Sequence, residues 1–203
     1  MRGELEQGFA TLSGVSRGVA VFGSSRTHEN DPRYELARKI GYALGEAGFC
    51  VITGGGPGAM EAANRGAREA GAASIGLTID LPLEPGSNPY VDVPVDFHYF
   101  FARKVMFVRY SSAFVVLPGG YGTLDELFEA LTLIQTGKIR YFPVVLVDSG
   151  YWSGLVEWIR DRMLAEGNIS PQDLDLITVT DSIDEVVAIC ESAVHRQMEP
   201  WDA

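Results

Sequence analysis

Short runs of apolar residues alternate along the chain with longer segments in which apolar residues recur every three or four positions. The short runs are rich in valine and isoleucine, which is typical of parallel strands covered on both faces. The longer segments predict amphipathic helices. Strands are predicted at 19–23, 49–53, 74–79, 91–95, 113–117, 142–147 and 177–180, and helices at 32–47, 59–70, 100–111, 123–135, 152–165 and 183–197.

This alternation predicts an α/β protein with a doubly wound, Rossmann-like parallel sheet and helices on both faces. Residues 18–203 are expected to form a single nucleotide-binding domain, because a chain of 203 residues can bury one full core and no linker or repeat interrupts it. Residues 1–17 show no clear period and are predicted to form a flexible N-terminal tail. Residues 81–90 contain three prolines and are predicted to form a loop.

Two glycine-rich segments each follow a predicted strand and open a predicted helix. In a doubly wound sheet ligands bind at the carboxyl ends of strands, where both segments are expected. Glycines let the backbone approach a ligand, and the first N–H groups of a helix favour an anion. The first segment is therefore predicted to cradle part of a nucleotide, and the second to bind its phosphate. Their glycines are Gly54, Gly55, Gly56 and Gly58 in the first, and Gly119, Gly120 and Gly122, followed by Thr123, in the second.

Two carboxylates, Asp125 and Glu126, lie directly behind the second glycine segment. A carboxylate beside a phosphate is electrostatically unfavourable, which indicates chemistry on the neighbouring sugar rather than on the phosphate. Cleavage of an N-glycosidic bond builds positive charge on the ribose C1' atom, and a carboxylate can stabilise that charge while activating water. A simpler alternative is that Thr123 caps the helix and Glu126 completes a capping box.

The pattern P-G-G-x-G-T-x-x-E at 118–126 resembles the signature of the LOG family, the cytokinin riboside 5'-monophosphate phosphoribohydrolases, long labelled lysine decarboxylases. Residues 53–61, 101–106 and 23–25 resemble further segments of that family, in the same order. The resemblance implies hydrolysis of N6-modified or plain adenosine 5'-monophosphates to free base and ribose 5-phosphate. It also implies Arg103 and Glu126 as the catalytic pair, with no metal and no organic cofactor.

The same resemblance implies further substrate contacts. For Glu61 a favourable charge at a helix start is an equally good interpretation. Asp125 is interpreted as solvent-facing charge, and His28 and His98 lack the spacing of metal ligands. Beyond the glycines and Thr123, the implied contacts are Gly23, Ser24, Met60, Glu61, Lys104 and Pro118.

The net charge of -11 argues against a nucleic-acid partner and against an anionic membrane surface. No apolar run is long enough to span a bilayer and no signal peptide is recognisable, so a cytoplasmic protein is expected. The resemblance implies a homo-oligomer, either a dimer or a hexamer built from dimers. The aromatic residues Tyr141, Phe142, Tyr151 and Trp152 fit either an interface or the core.

Three other functions are weighed against hydrolysis. A non-catalytic nucleotide-binding or sensing protein would need the same glycine segments, since a fold does not by itself give function. Dinucleotide-dependent redox chemistry is disfavoured, because Asp80 stands too far along the chain for the ribose contact. An amino-acid decarboxylase would need a Schiff-base lysine, for which Lys104 is the sole candidate near the site.

Overall fold

The computed structural model describes residues 1–80 and 86–197. Seven strands in this part of the chain form one sheet: β1 (Gly18–Phe22), β2 (Cys50–Thr53), β3 (Ser74–Ile79), β4 (Val93–Phe97), β5 (Ser111–Val116), β6 (Val144–Val147) and β7 (Ile177–Thr180). The α-helices are α1 (Arg2–Thr11), α2 (Pro32–Glu46), α3 (Ala59–Glu69), α4 (Phe100–Tyr110), α5 (Tyr121–Gln135), α6 (Ser149–Trp158) and α7 (Ile183–Gln197). A π-helical turn (Ile159–Leu164) continues α6, and a 3₁₀ helix (Pro171–Leu176) precedes β7.

The strand order is β4-β3-β2-β1-β5-β6-β7, and every neighbouring pair is parallel. Strands β1 to β4 are added in sequence toward one edge of the sheet, and β5 to β7 toward the other edge. The order of the strands therefore reverses between the neighbours β1 and β5, although all strands stay parallel. In doubly wound sheets the crevice at such a switch point is where ligands bind. Both glycine segments follow strands close to this point, β2 and β5.

The core lies on both faces of the sheet. On β1, Val19 and Val21 belong to one buried cluster, whereas Ala20 and Phe22 belong to the other. Helices α2, α3 and α7 supply side chains to the first cluster, and α4, α5 and α6 to the second. The predicted doubly wound α/β fold is confirmed.

The N-terminal segment differs from its prediction. The prediction of a flexible tail is wrong for this segment, because Arg2–Thr11 forms α1 and Leu12 is fully buried against the core. Glu4 Oε2 accepts hydrogen bonds from the backbone N–H groups of His98 and Tyr99, both at 3.3 Å, at the start of α4. A helix that buries only Gly8 shows no clear hydrophobic period, so the sequence pattern missed it.

Other elements shift by a few residues. Helix α5 begins at Tyr121 rather than at residue 123, and strand β4 is Val93–Phe97 rather than 91–95. Residues 81–85 of the predicted loop lie outside the described residues. Four aromatic residues were predicted to belong either to an interface or to the core. Of these, Phe142 and Trp152 are buried, whereas Tyr141 and Tyr151 are exposed. No helix in the described part of the chain is long and apolar enough to cross a membrane.

Candidate nucleotide site

Three loops meet at the carboxyl ends of β1, β2 and β5, and the backbone of Ser24 ties them together. Its N–H donates to the carbonyl of Pro118 at 3.0 Å, and its carbonyl accepts from the N–H of Ala59 at 3.0 Å. Gly58 has φ +70, and a Cβ added there would lie 2.5 Å from the Ser24 carbonyl oxygen. Only glycine fits this close approach, which holds the first glycine segment against the loop after β1.

These loops border a cavity of about 710 Å³, a volume in the range of small-molecule sites. The structure brings to its wall most of the residues predicted to touch the substrate: Gly23, Ser24, Gly54, Gly56, Met60, Arg103, Gly120, Gly122, Thr123 and Glu126. Other predicted residues lie behind the wall: Gly55, Gly58, Glu61, Lys104, Pro118 and Gly119. The wall also contains residues that the sequence reasoning did not single out, among them Arg26, Thr78, Phe100 and Tyr121.

The second glycine segment presents the uncapped start of α5 to this cavity. Gly120 is the N-cap residue and no side chain caps it. The capping-box alternative is therefore wrong, because Thr123 is the third residue of the helix and not its cap. The first N–H groups of an α-helix have no intrahelical acceptor, so these groups are suited to an anion. Thr123 packs over Gly119, where an added Cβ would lie 2.6 Å from the Thr123 Cβ.

Glu126 stands one turn further along α5, with 6% of its surface exposed. Its Oε1 lies 3.3 Å from the ammonium group of Lys104. Burial raises the pKa of Glu126 above its usual range, while the positive charges of Lys104 and Arg103 offset part of that rise. A buried carboxylate with a raised pKa beside a cavity is typical of functional sites.

Lys104 is surrounded by carboxylates and does not itself line the cavity, although its partners Asp125 and Glu126 do. Its Nζ lies 2.8 Å from Asp125 and 2.7 Å from Glu129, in addition to its contact with Glu126. Burial alone would lower the pKa of Lys104, but hydrogen bonds with Asp125 and Glu129 outweigh it and raise the pKa. Asp125, expected to face solvent, is exposed and also holds Lys104. This arrangement suits Lys104 to neutralise the acidic cluster rather than to contact a ligand.

Arg103 lies across the first glycine segment. Its Nε donates to the carbonyl of Leu77 at 2.6 Å and its Nη2 to that of Gly54 at 3.4 Å, and its guanidinium stacks 5.2 Å from the centre of the Phe107 ring. A side chain at Gly54 would overlap the guanidinium. The backbone of the first segment and the arginine are therefore fitted to each other, and both line the cavity with Glu126.

A buried polar network supports the first glycine segment, and sequence reasoning missed it. Asn88 Nδ2 donates to the carbonyls of Gly55 at 3.1 Å and Gly56 at 3.0 Å, and to Asn64 Oδ1 at 2.9 Å. Thr53 Oγ1 donates to the same Asn64 oxygen at 2.6 Å and accepts the Gly55 N–H at 2.9 Å. In sequence, Asn88 stands between Ser87 and Pro89, where asparagine reads as an ordinary turn residue.

Glu61 does not line the cavity, and its carboxylate is hydrogen-bonded to another side chain of the protein. Its Oε1 accepts the hydroxyl of Tyr34 at 3.0 Å. Burial of that hydroxyl and the Glu61 carboxylate raise the pKa of Tyr34 to about 12. This geometry favours a structural role for Glu61 over a contact to the ribose. Among the described residues, no group of three or more His, Cys, Asp and Glu side chains is placed to hold a metal ion.

Arg26 adds a cation to the cavity wall. It is exposed in the loop after β1, and its backbone N–H donates to Ser24 Oγ at 3.1 Å. With a net charge of -11 the chain offers no general positive field, so a phosphate must be held by local donors of this kind. The sequence shows Arg26 two positions after Ser24, but gives no sign that it faces the same cavity.

Comparisons with known proteins identify relatives of this chain. A family model described as "Possible lysine decarboxylase" matches residues 60–190. The chain is 34% identical over 176 residues to the cytokinin riboside 5'-monophosphate phosphoribohydrolase of Mycobacterium tuberculosis. That alignment covers 85% of this chain and 92% of the relative. The chain is 32% identical over 177 residues to the cytokinin riboside 5'-monophosphate phosphoribohydrolase LOG3 of Arabidopsis thaliana, covering 84% of this chain and 80% of that protein.

A solved structure of a protein named for a different role shares the fold. The molybdenum cofactor carrier protein of Chlamydomonas reinhardtii superposes with a TM-score of 0.67 at 24% identity, covering 89% of this chain and 99% of that chain. At this identity the likeness establishes the common fold alone.

Proposed function

The chain belongs to the LOG family, whose curated relatives are named cytokinin riboside 5'-monophosphate phosphoribohydrolases, and on this basis we propose that it hydrolyses the N-glycosidic bond of adenosine 5'-monophosphates, plain or N6-modified. The products are the free base and ribose 5-phosphate. The single observation that carries the proposal is the position of Glu126, a buried carboxylate on the wall of the cavity, one helical turn behind an uncapped helix start.

The phosphate fits the start of α5. Gly120, Gly122 and Thr123 line the cavity there, so their backbone N–H groups and the Thr123 hydroxyl are the candidate donors, and a helix N-terminus stabilises an anion. Glu126 follows Thr123 by three residues, which is about 4.5 Å along a helix. That distance is on the scale of one sugar unit, so a phosphate at the helix start leaves the ribose close to the carboxylate.

Glu126 then acts on the sugar. As the bond between C1' and the base nitrogen breaks, its carboxylate stabilises the positive charge on C1' and orients a water molecule. The water oxygen bonds to C1', one proton of that water leaves it, and the departing base ends with a proton. Arg103 lines the cavity with Glu126, and the positive charges of Arg103 and Lys104 offset part of the rise that burial causes in the pKa of Glu126, which favours its carboxylate form.

The geometry does not suit the decarboxylase chemistry that the family description suggests. A Schiff base needs an unprotonated lysine amine that faces the substrate. Lys104 has a raised pKa, touches carboxylates of three residues and does not line the cavity. The other two lysines, Lys39 and Lys138, are exposed elsewhere on the surface.

Nucleotide binding without turnover is the second candidate. Its support is that the same fold occurs in a protein named a cofactor carrier, and that the cavity wall supplies binding groups independently of Glu126. Tight binding of AMP without release of base would favour it.

We also propose that the chain forms a homo-oligomer. Three apolar side chains are exposed side by side on α4 next to the cavity: Phe100 (52%), Phe101 (49%) and Val105 (44%). Sedimentation of the wild type and of a variant with Phe101→Glu tests this, since an interface on α4 predicts that the charged variant dissociates.

The decisive variants for hydrolysis are Glu126→Gln and Glu129→Gln. Both remove a carboxylate that contacts Lys104, but only Glu126 lines the cavity. Chromatography of free base after incubation with AMP, and separately with isopentenyladenosine 5'-monophosphate, should show a loss of about 10²- to 10³-fold for Glu126→Gln and little change for Glu129→Gln. Full activity of Glu126→Gln would end the assignment.

A further inference from the structure

Five carbonyl oxygens of the two glycine segments accept hydrogen bonds from other parts of the protein. In the first segment the donors are the side chains of Arg103 and Asn88, and in the second they are the N–H of Ser24 and the hydroxyl of Tyr151. A carbonyl oxygen carries partial negative charge, so one turned into the cavity would repel a phosphate. The donors hold the carbonyls in place and leave the N–H groups for the ligand. The carbonyls concerned are those of Gly54, Gly55, Gly56, Pro118 and Gly119.

We propose that Tyr151 is a positioning residue for phosphate recognition, because its hydroxyl holds the carbonyl of Gly119 and thereby turns the N–H of Gly120 into the cavity. The Tyr151 hydroxyl donates to that oxygen at 2.7 Å. The two groups belong to one trans peptide plane, in which the C=O and the N–H point in opposite directions. Tyr151 does not line the cavity, whereas Gly120 does. The inference deepens the proposed function and rests on it.

Gly120 needs such an external hold. It follows Gly119 directly, and a pair of glycines is the most freely rotating stretch of backbone. Among the described residues nothing lies within 4 Å of the position that a Cβ on Gly120 would occupy, so side-chain packing does not fix this residue. Its own carbonyl accepts the Leu124 N–H at 3.0 Å, on the other side of the residue from the peptide that joins it to Gly119. Rotation of the Gly119–Gly120 peptide by half a turn would aim the carbonyl at the phosphate and withdraw the N–H. The hydrogen bond from the Tyr151 hydroxyl opposes this rotation directly, because it acts on the Gly119 carbonyl itself.

Tyr151 is itself held in place at the start of α6. Asp148 caps that helix by accepting the Tyr151 N–H at 3.1 Å, and Asp148 also accepts Arg33 Nε at 2.9 Å. The Arg33 guanidinium lies 5.4 Å from the centre of the Tyr151 ring. The buried Trp152 ring meets the same ring edge-on at 4.9 Å. These contacts involve the ring and backbone, so they persist when the hydroxyl alone is removed.

The test is Tyr151→Phe in the full chain, with Tyr141→Phe as the matched control. Tyr141 is an exposed tyrosine that does not line the cavity. Calorimetry measures binding of AMP, of ribose 5-phosphate and of adenosine, which lacks the phosphate. One hydrogen bond of about 0.5–1.5 kcal/mol predicts a loss of about 2- to 13-fold for Tyr151→Phe with AMP and ribose 5-phosphate, and no change with adenosine. Tyr141→Phe should bind all three as the wild type does.

Other outcomes overturn the inference. Equal weakening of AMP and adenosine would mean that the hydroxyl supports the cavity as a whole. Unchanged binding of all three ligands would mean that the Gly119 carbonyl needs no hold, and a wild type that binds AMP no better than adenosine would mean that no phosphate is recognised there. Because these are binding measurements, a wild type that binds AMP but never hydrolyses it would refute the proposed function and leave the role of Tyr151 testable.

Discussion

The two glycine segments have similar sequences but are held in different ways. In the first, Gly54, Gly55 and Gly56 are buried, and the buried network around Asn88 fixes the carbonyls of Gly55 and Gly56. In the second, Gly120 is exposed and a single tyrosine hydroxyl holds the preceding carbonyl. The first segment is thus part of the core, whereas the second keeps its N–H groups open. Damage to the first should cost stability, and damage to the second should cost ligand recognition.

The largest expected effect on stability comes from Asn88→Ala. The change removes the side-chain donor of the buried Gly56 carbonyl, at about 1–3 kcal/mol for an unsatisfied group. It also removes one of two donors from the Gly55 carbonyl and one of two from the Asn64 oxygen, at about 0.5–1.5 kcal/mol for each lost hydrogen bond. We expect the free energy of unfolding to fall by about 2–4 kcal/mol. Urea denaturation measures this, with the exposed Asn168→Ala as the control expected to change stability by less than about 0.5 kcal/mol.

Gly119→Ala should give the opposite result, a large loss of function with a small loss of stability. The added Cβ would lie 2.6 Å from the Cβ of Thr123, so the loop must move at the proposed phosphate site. We expect kcat/KM for AMP to fall by about 10- to 100-fold. Gly154→Ala is the matched control, because among the described residues nothing lies within 4 Å of its added Cβ and Gly154 does not line the cavity. Comparable losses in both variants would show that the crowding at Gly119 is not the cause.

The sequence predicted the parts of this comparison that depend on local pattern. Both glycine segments, their strands and their helices follow from apolar periodicity and from residues such as Gly58 and Thr123. The sequence could not predict that Asn88 and Tyr151 hold the glycine segments in place, because each donates to a carbonyl 32 or more positions away in the chain. The substrate contact of Lys104 was implied by the family resemblance alone, whereas its carboxylate partners on α5 are set by how α4 and α5 pack, which no local pattern shows.

A smaller effect, on pH dependence, is expected from Lys104→Gln. Lys104 lowers the pKa of Glu126, so its removal lets burial raise that pKa further. Because Glu126 acts as the carboxylate, activity disappears when the pH falls through this pKa, and the acidic limb of the kcat/KM profile should move to higher pH. The loss should be several-fold at low pH and small at high pH. Lys138→Gln, on the surface, should keep the wild-type profile.

The central claim is that the second glycine segment holds a phosphate while Glu126 cleaves the bond between ribose and base. The most direct measurement is product stoichiometry from the purified wild type incubated with AMP and, separately, with adenosine. The account predicts adenine and ribose 5-phosphate in equal amounts from AMP, and a rate at least about 100-fold lower with adenosine. Equal rates from the two substrates, or AMP bound tightly with no adenine released, would contradict it.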